Sequence, residues 1–381
     1  MVLCPEEGTT RLHKKSNQDP FVAQLQSNIR DSDGQKFAPF GARSKPALVP
    51  RASACGANVV PLDIRDYRGI VAYDPSEFLI TARAGTPIAD LQALLARHGQ
   101  YLPFDPLFVA DSATLGGTIA SGISGPDRLL YGGIRDFIME IAMLDGLGSF
   151  VRGGGKVVKN AAGFDTPKLM VGSYGRLGVI LEATLKVFPV PQGWATVIFD
   201  NSSLDLAVSR SQQILSRPLP IAGMDINTEC QLVIRLAAPA SSLRAVAERI
   251  ENLVGLKSRI LIDGEHSQYR KERIDWLESA PKEGESLIRV AMTPNHVLRL
   301  YGLLNAFHIR SYLFCSAGCT AWIRMPDLEL ERFSMELGQL ALSGIVVRSQ
   351  ANALALGDLS WQQMATRIQH AADPNGRFMG W

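Results

Sequence analysis

Thr114-Leu115-Gly116-Gly117-Thr118-Ile119-Ala120-Ser121-Gly122 is the first of three glycine bursts, followed by Gly153-Gly154-Gly155 and Gly172-Ser173-Tyr174-Gly175-Arg176-Leu177-Gly178. Fifteen of the chain's 34 glycines fall between Ser112 and Gly178. Glycine weakens the interior of regular elements, so this density in otherwise apolar, strand-rich sequence marks backbone brought close to another group. A phosphate-bearing cofactor is the simplest such group, because N–H groups in glycine-rich turns approach phosphate oxygens with no side chain in the way.

Two familiar phosphate cradles fail on spacing. A Walker loop needs Gly, four residues, then Gly-Lys-Ser or Gly-Lys-Thr; here Gly155-Lys156 is followed by Val157, and Phe150 stands where the first glycine belongs. Neither Gly116-Gly117 nor Gly172, Gly175 and Gly178 has the Gly-x-Gly-x-x-Gly spacing of a Rossmann turn, which disfavours a doubly wound nicotinamide dehydrogenase. What remains is a set of dispersed backbone contacts from several loops, with Gly41 to Lys45 well upstream of the bursts.

The rest of the chain narrows the class. Its 381 residues, 46% hydrophobic, can bury a large core and suit about two domains. A net charge of +2 with no basic stripe excludes nucleic acid as the expected partner. No apolar run approaches the ~20 residues of a membrane span, and Cys4, Glu6, Glu7, Arg11 and Lys14 do not make an export signal, so a cytoplasmic protein is expected. The five cysteines (Cys4, Cys55, Cys230, Cys315 and Cys319) form no disulfide framework and read as reduced thiols. Cys315 and Cys319 lack the further ligands of a cluster or zinc site, so no metal is expected, and they read as small residues at a strand boundary.

Residues 1–20 are polar and aperiodic and read as a mobile arm. Phe21, Val22, Leu25 and Ile29 then recur at helical spacing up to the break at 31–34. Strands are expected at Lys36 to Phe40, Ile70 to Tyr73, Phe78 to Ala84, Phe137 to Leu144, Ser149 to Arg152 and Val179 to Val187. Thr86-Pro87 starts a helix that Gly99 stops, with His98 placed to cap the last carbonyls. After Pro189, Pro191 and Gly193 glycine thins out, which sets a domain boundary near 190. Beyond it, strands are expected at Leu232 to Leu236, Leu287 to Ala291, Thr320 to Arg324 and Gly344 to Arg348. Helices are expected at Ser241 to Val254, Pro294 to Phe307 and Asp327 to Leu342, giving a sheet covered by helices on one face.

Residues from about 36 to 190 resemble the FAD-binding domain of the vanillyl-alcohol oxidase type flavoproteins: an early strand and pyrophosphate loop, a Thr-Leu-Gly-Gly segment, then a Gly-x-x-Gly-x-Ile segment. Within that superfamily the chain is most similar to the FAD-binding subunits of glycolate oxidases. That resemblance rests on Leu102-Pro103-Phe104-Asp105-Pro106, Thr114 to Gly125 with Pro126, Arg135-Asp136-Phe137, and Gly155-Lys156-Val157-Val158-Lys159-Asn160-Ala161-Ala162-Gly163-Phe164-Asp165. It implies an α+β fold with a two-lobed FAD-binding domain over 21–190, a cap domain over 191–366 and a tail over 367–381 that returns to the FAD domain. It also implies cofactor contacts from Gly41, Ala42, Arg43, Ser44 and Lys45, from Pro103, and from Thr114, Leu115, Gly116, Gly117, Ser121, Gly122 and Gly125. Gly175, Gly178, Val179 and Ile180 complete the set.

The chain departs from the pattern in places. Ala42 and Arg43 replace more permissive residues in the early loop, Phe164 stands where a tyrosine is common, and Met379-Gly380 replaces the usual Asn-Pro ending. Relatives that tether the flavin use a histidine in the early loop; Lys45 follows Ser44 here, so non-covalent FAD is implied.

Oxidation of a 2-hydroxy acid needs a base for the hydroxyl proton, cations for the carboxylate and a flavin N5 to take the hydride. The histidine-glycine motifs of catalytic relatives are missing after residue 190, where His266, His296, His308 and His370 are isolated and read as surface or helix-end residues. No catalytic residue is assigned. Arg135, Lys159 and Asp165 are the charged residues expected near the flavin, the last two as a proton-transfer pair or as an ion pair bracing the loop. The resemblance implies an accessory redox subunit of a glycolate (2-hydroxy acid) oxidase complex, with a paralogous catalytic flavoprotein and an iron-sulfur subunit as partners and a peripheral place at the membrane through that complex. A non-catalytic assembly subunit with structural or absent FAD, and a free-standing flavin-dependent alcohol oxidase, are the alternatives.

Overall fold

The computed structural model describes residues 19–32, 34–49, 58–155, 165–351 and 354–381. Of the arm expected over 1–20, residues 1–18 lie outside these. Asp19 instead caps a helix, Pro20–Arg30, by accepting the Phe21 N–H at 3.0 Å. That helix buries Val22, Leu25 and Ile29, the apolar stripe read from the sequence, at about 1.5–3 kcal/mol for each large side chain.

A five-stranded antiparallel sheet runs in the order Ile70–Asp74, Leu79–Arg83, Val179–Lys186, Ile138–Leu144, Phe150–Gly154. Its central strand is buried on both faces. Leu181, Ala183 and Leu185 fill one face. The other carries Thr184, bonded to Thr81 at 2.8 Å, and Glu182, which accepts from the Tyr67 hydroxyl at 3.1 Å and from Arg152 at 3.2 Å. Beside this sheet Lys36–Phe40 pairs in parallel with Val59–Asp63 and leads directly into the Gly41 loop.

The helix after Thr86 is Ile88–Ala96, and its cap residue is Pro87. Thr86 faces the other way, its hydroxyl accepting the Gly69 N–H at 2.9 Å. The His98 ring packs edge-on against Tyr73 at 5.2 Å, and it is the residue's backbone N–H that donates to the Leu95 carbonyl, at 2.9 Å.

Beyond Gly193 the chain forms a nine-stranded antiparallel sheet in the order Arg259–Ile262, Trp194–Phe199, Leu232–Ala237, Ile221–Ile226, Ser311–Cys315, Thr320–Pro326, Glu285–Ala291, Ser343–Arg348, Ala355–Gly357. One face, including Phe199, Ile234, Ile288, Phe314 and Val346, packs under the helices Leu204–Leu215, Leu243–Val254, Val297–Ala306 and Leu330–Gln339. From the opposite face Leu287, Leu313, Trp322 and Val347 join the core of the first sheet. The alternation along each strand therefore serves two cores. The fold is α+β, with a helix-covered cap sheet docked on a two-lobed first half.

Asp263–Glu278 is a 16-residue helix that lacks apolar residues at helical spacing. Its inward positions hold His266, Arg270 and Arg273, which face carboxylates and aromatic rings, so polar pairing replaces the apolar stripe that pattern reading seeks. Cys315 ends one strand and Cys319 precedes the next, both free thiols. After the helix Gln362–Ala372 the chain turns back on itself. Asp373 accepts the N–H groups of Arg377 and Phe378, each at 2.7 Å, the Phe37 N–H donates to the Arg377 carbonyl at 2.6 Å, and Phe378 is 1% exposed. No helix among the described residues is long and apolar enough to cross a membrane.

Candidate functional site

Where the strand Lys36–Phe40 ends, the chain meets the start of the short helix Leu115–Ser121. Gly41 is required there, since a Cβ would lie 2.2 Å from Thr114 Oγ1. Thr114 caps that helix by accepting the Gly117 N–H at 3.2 Å. The next donors are also used, Leu115 N–H on the Thr86 carbonyl at 2.9 Å and Gly116 N–H on the Ala84 carbonyl at 2.8 Å. By contrast, no N–H group of Gly41, Ala42, Arg43, Ser44 or Lys45 donates to another described residue. Arg43 lies in the left-handed region at φ +54° and stacks its guanidinium 3.9 Å above the Phe40 ring. A non-glycine residue is tolerated in that conformation at a modest cost in strain.

Two adjoining clefts that share lining residues form one slot along this junction. Gly41, Thr114, Gly117 and Gly175 line both, Arg43, Ser44 and Lys45 lie at one end, and Ile64, Ala84 and Ile180 form an apolar floor at the other. Gly178 completes the floor at φ +145°, where a Cβ would lie 2.4 Å from the Leu144 carbonyl oxygen.

Of the sequence-derived candidates the slot gathers Gly41, Ala42, Arg43, Ser44, Lys45, Thr114, Gly116, Gly117, Ser121, Gly175, Gly178 and Ile180. Pro103, Leu115 and Val179 are instead buried and do not line it. Gly122 packs against Gly172, and Gly125 sits against Asp105, where a Cβ would meet the carboxylate. Arg135 donates to the Lys168 carbonyl at 2.7 Å, and Asp165 caps the helix Thr166–Met170 and pairs with Lys168 at 2.8 Å, so neither lines the slot. Lys159 lies outside the described residues. Sequence reasoning missed Pro39, Phe40, Ala120 and Tyr174 in the lining, because small and aromatic residues there carry no phosphate signal.

Lys45 is the slot's buried cation. Its Nζ donates to Ser44 Oγ at 3.2 Å and lies 5.1 Å from the centre of the Phe108 ring, and it forms no ion pair among the described residues. Burial above all, then the neighbouring Arg348 guanidinium, pulls its pKa down to about 8, against the partial counter-effect of Glu278 and Asp111.

Three cap arginines are engaged by carboxylates, whereas the Nε of Arg289, near Tyr174, has no partner among the described residues. Asp127 pairs with Arg235 and with Arg270 at 3.1 Å, Arg270 also holds Asp105 at 2.5 Å, and Arg273 holds Asp225 at 2.9 Å. None of the described histidines lines the slot. His266, expected at the surface or a helix end, is buried, stacked on Trp194 at 6.3 Å and bonded to Thr196 at 2.9 Å. Burial first, then the Arg235 and Arg270 charges, pushes its pKa down to about 4, so it is neutral at pH 7.

Backbone donors that are unbonded among the described residues, beside a buried ammonium and continuing into an apolar floor, fit a pyrophosphate joined to a flat ring system. The same architecture recurs in a solved enzyme. The structure of alkyldihydroxyacetonephosphate synthase superposes with a TM-score of 0.67 at 15% identity, over 94% of this chain and 73% of that one. Residues 22–154 match the FAD binding domain family, and FAD is the cofactor of this domain.

Nearer relatives follow from the sequence. The chain is 43% identical over 187 residues to glycolate oxidase subunit GlcE of Escherichia coli (strain K12), covering 49% of this chain and 53% of that protein. It is 28% identical over 195 residues to glycolate oxidase subunit GlcD of Bacillus subtilis (strain 168), covering 49% and 41%. The matches thus span about half the length of the first relative and less of the second.

Proposed function

We propose that this chain is the FAD-binding accessory redox subunit of a glycolate (2-hydroxy acid) oxidase or dehydrogenase complex. The observation that carries the reading is the slot, whose Gly41–Lys45 donors, unbonded among the described residues, and buried Lys45 lie within the segment matched by the FAD binding domain family. On this reading Gly41 to Lys45 hold the pyrophosphate without a covalent link. Gly116, Gly117 and Gly175 offer the cofactor a wall of closely packed backbone, and Ile64, Ala84 and Ile180 exclude water from its rings. FAD, when bound, supplies hydride and single-electron acceptance. Residues 21–190 would then act as the cofactor unit, 191–366 as the cap and 367–381 as the returning tail.

Among the described residues the slot offers no histidine base, and the cap cations Arg235, Arg270 and Arg273, though not Arg289, are engaged by carboxylates. That favours a division of labour in which a paralogous flavoprotein oxidises the hydroxy acid and electrons leave through an iron-sulfur subunit, with the assembly peripheral to the membrane. The same observation supports the second reading, an assembly subunit whose FAD is structural. Bleaching and reoxidation of the flavin in the reconstituted complex separate the two. Glycolate should reduce this subunit's flavin only when the partners are present; a flavin that stays oxidised throughout turnover would favour the structural role. Steady glycolate turnover by this chain alone, with an artificial acceptor, would overturn both.

A further inference from the structure

Arg348 ends the cap strand Ser343–Arg348, yet its guanidinium serves the cofactor half of the molecule. Nε donates to the Ser44 carbonyl at 3.0 Å, Nη1 donates to the Glu278 carbonyl and Nη2 pairs with Asp111. The same group lies 4.5 Å from the centre of the Phe108 ring, the ring that Lys45 also approaches. Glu278 in turn accepts the Phe108 N–H, so the loop carrying that ring is tied to the end of the long cap helix. Arg348 is 8% exposed, and each of its nitrogens reaches a different chain segment.

The geometry of one peptide unit turns this contact into a statement about the slot. In a trans peptide the C=O and the following N–H point in opposite directions. Because the Ser44 carbonyl points at Arg348, the Lys45 N–H points away from it. Arg348 lines an adjoining outer cleft with Asp111 and Lys282, which Ala42, Arg43 and Ser44 also line, whereas Lys45 lines the slot and not that cleft. Fixing that carbonyl therefore sets how the loop presents its backbone donors.

Resting on the reading that the slot holds FAD, we infer that Arg348 is a positioning residue for the flavin pyrophosphate, coupling cofactor retention to docking of the cap sheet. The charged groups around Lys45 come from three elements: Arg348 from the cap strand, Glu278 from the long helix and Asp111 from the loop after Phe108. Arg348 thus acts on the donor geometry through Ser44 and on the Lys45 charge through space.

The test is FAD affinity of the full chain, read by flavin fluorescence from pH 7 to 10, with far-UV circular dichroism as the folding control. Arg348→Gln should weaken binding about tenfold, the scale of a lost charge-assisted hydrogen bond, and move the alkaline fall in affinity to higher pH because Lys45 loses a repelling neighbour. Arg348→Lys keeps the charge but loses the fork, so it should weaken binding and leave the pH of the fall in place. A wild-type chain that takes up no FAD would defeat the underlying reading. Wild-type binding with unchanged affinity and pH profile in both variants would overturn the role of Arg348 alone. If Arg348→Gln does not fold, the lysine variant decides by its affinity.

Discussion

Replacing Lys45 with methionine isolates the buried charge on which the cofactor reading leans. In the free protein Lys45 titrates at about 8, chiefly through burial. A bound pyrophosphate would return it to the ordinary lysine range near 10.4. From pH 7 to pH 9 the free protein's ammonium fraction then falls from roughly 0.9 to roughly 0.1, so FAD affinity should fall about tenfold, or ~1.4 kcal/mol. Lys45→Met should bind more weakly than wild type at pH 7 and show no such fall, so that the two curves converge as pH rises. The free protein should respond in the opposite sense. Its folded pKa lies below the unfolded value, so the unfolded chain binds more protons between pH 8 and 10.5 and this group's contribution to stability rises across that window. Fluorescence titrations at pH 7, 8 and 9 on both proteins, with urea unfolding of the FAD-free forms, measure each arm. Equal pH slopes in the two proteins would refute the assignment of Lys45 as the anion-facing charge.

Gly41→Ala would drive a methyl group into Thr114 Oγ1 and displace that helix cap; a stability loss of about 1 kcal/mol and at least a tenfold weaker FAD Kd are expected from thermal unfolding and fluorescence. Phe378→Ala, at a side chain that is 1% exposed, should cost about 3–5 kcal/mol in urea unfolding and speed FAD release on gel filtration, because the tail backbone pairs with the strand that enters the Gly41 loop. His266 has a folded pKa of about 4, below the ordinary 6.5, so its contribution is present above pH 6.5 and is lost as pH falls toward 4, by up to about 3 kcal/mol. His266→Asn should flatten that acid limb of the stability curve, and an unchanged limb would exclude His266 as its source.

Elements with strong period or clear punctuation were legible in the sequence. The stripe Val22, Leu25 and Ile29 gave the first helix, and the alternation of Leu181, Ala183 and Leu185 gave the central strand. The long helix Asp263–Glu278 was not legible, because its inward face is held by pairs whose partners, Asp105, Asp127 and Asp225, lie far away in sequence. The same reason hid His266. At the slot, glycine density located the Gly116-Gly117 and Gly175 walls, since close approach leaves a compositional mark. Arg348 left none: an arginine at a strand end reads as a solvent-facing residue until the cap is seen resting on Ser44.

The slot bounded by Gly41 to Lys45, Thr114 to Gly117 and Gly175 is expected to hold FAD reversibly. Flavin extracted by acid from the purified full chain, after saturation with FAD and gel filtration, tests it most directly. The prediction is one FAD per chain, fully released into the acid supernatant, and lost from a Gly41→Val chain that remains folded. No retained flavin in the wild-type chain, or flavin held equally by the variant, would contradict it.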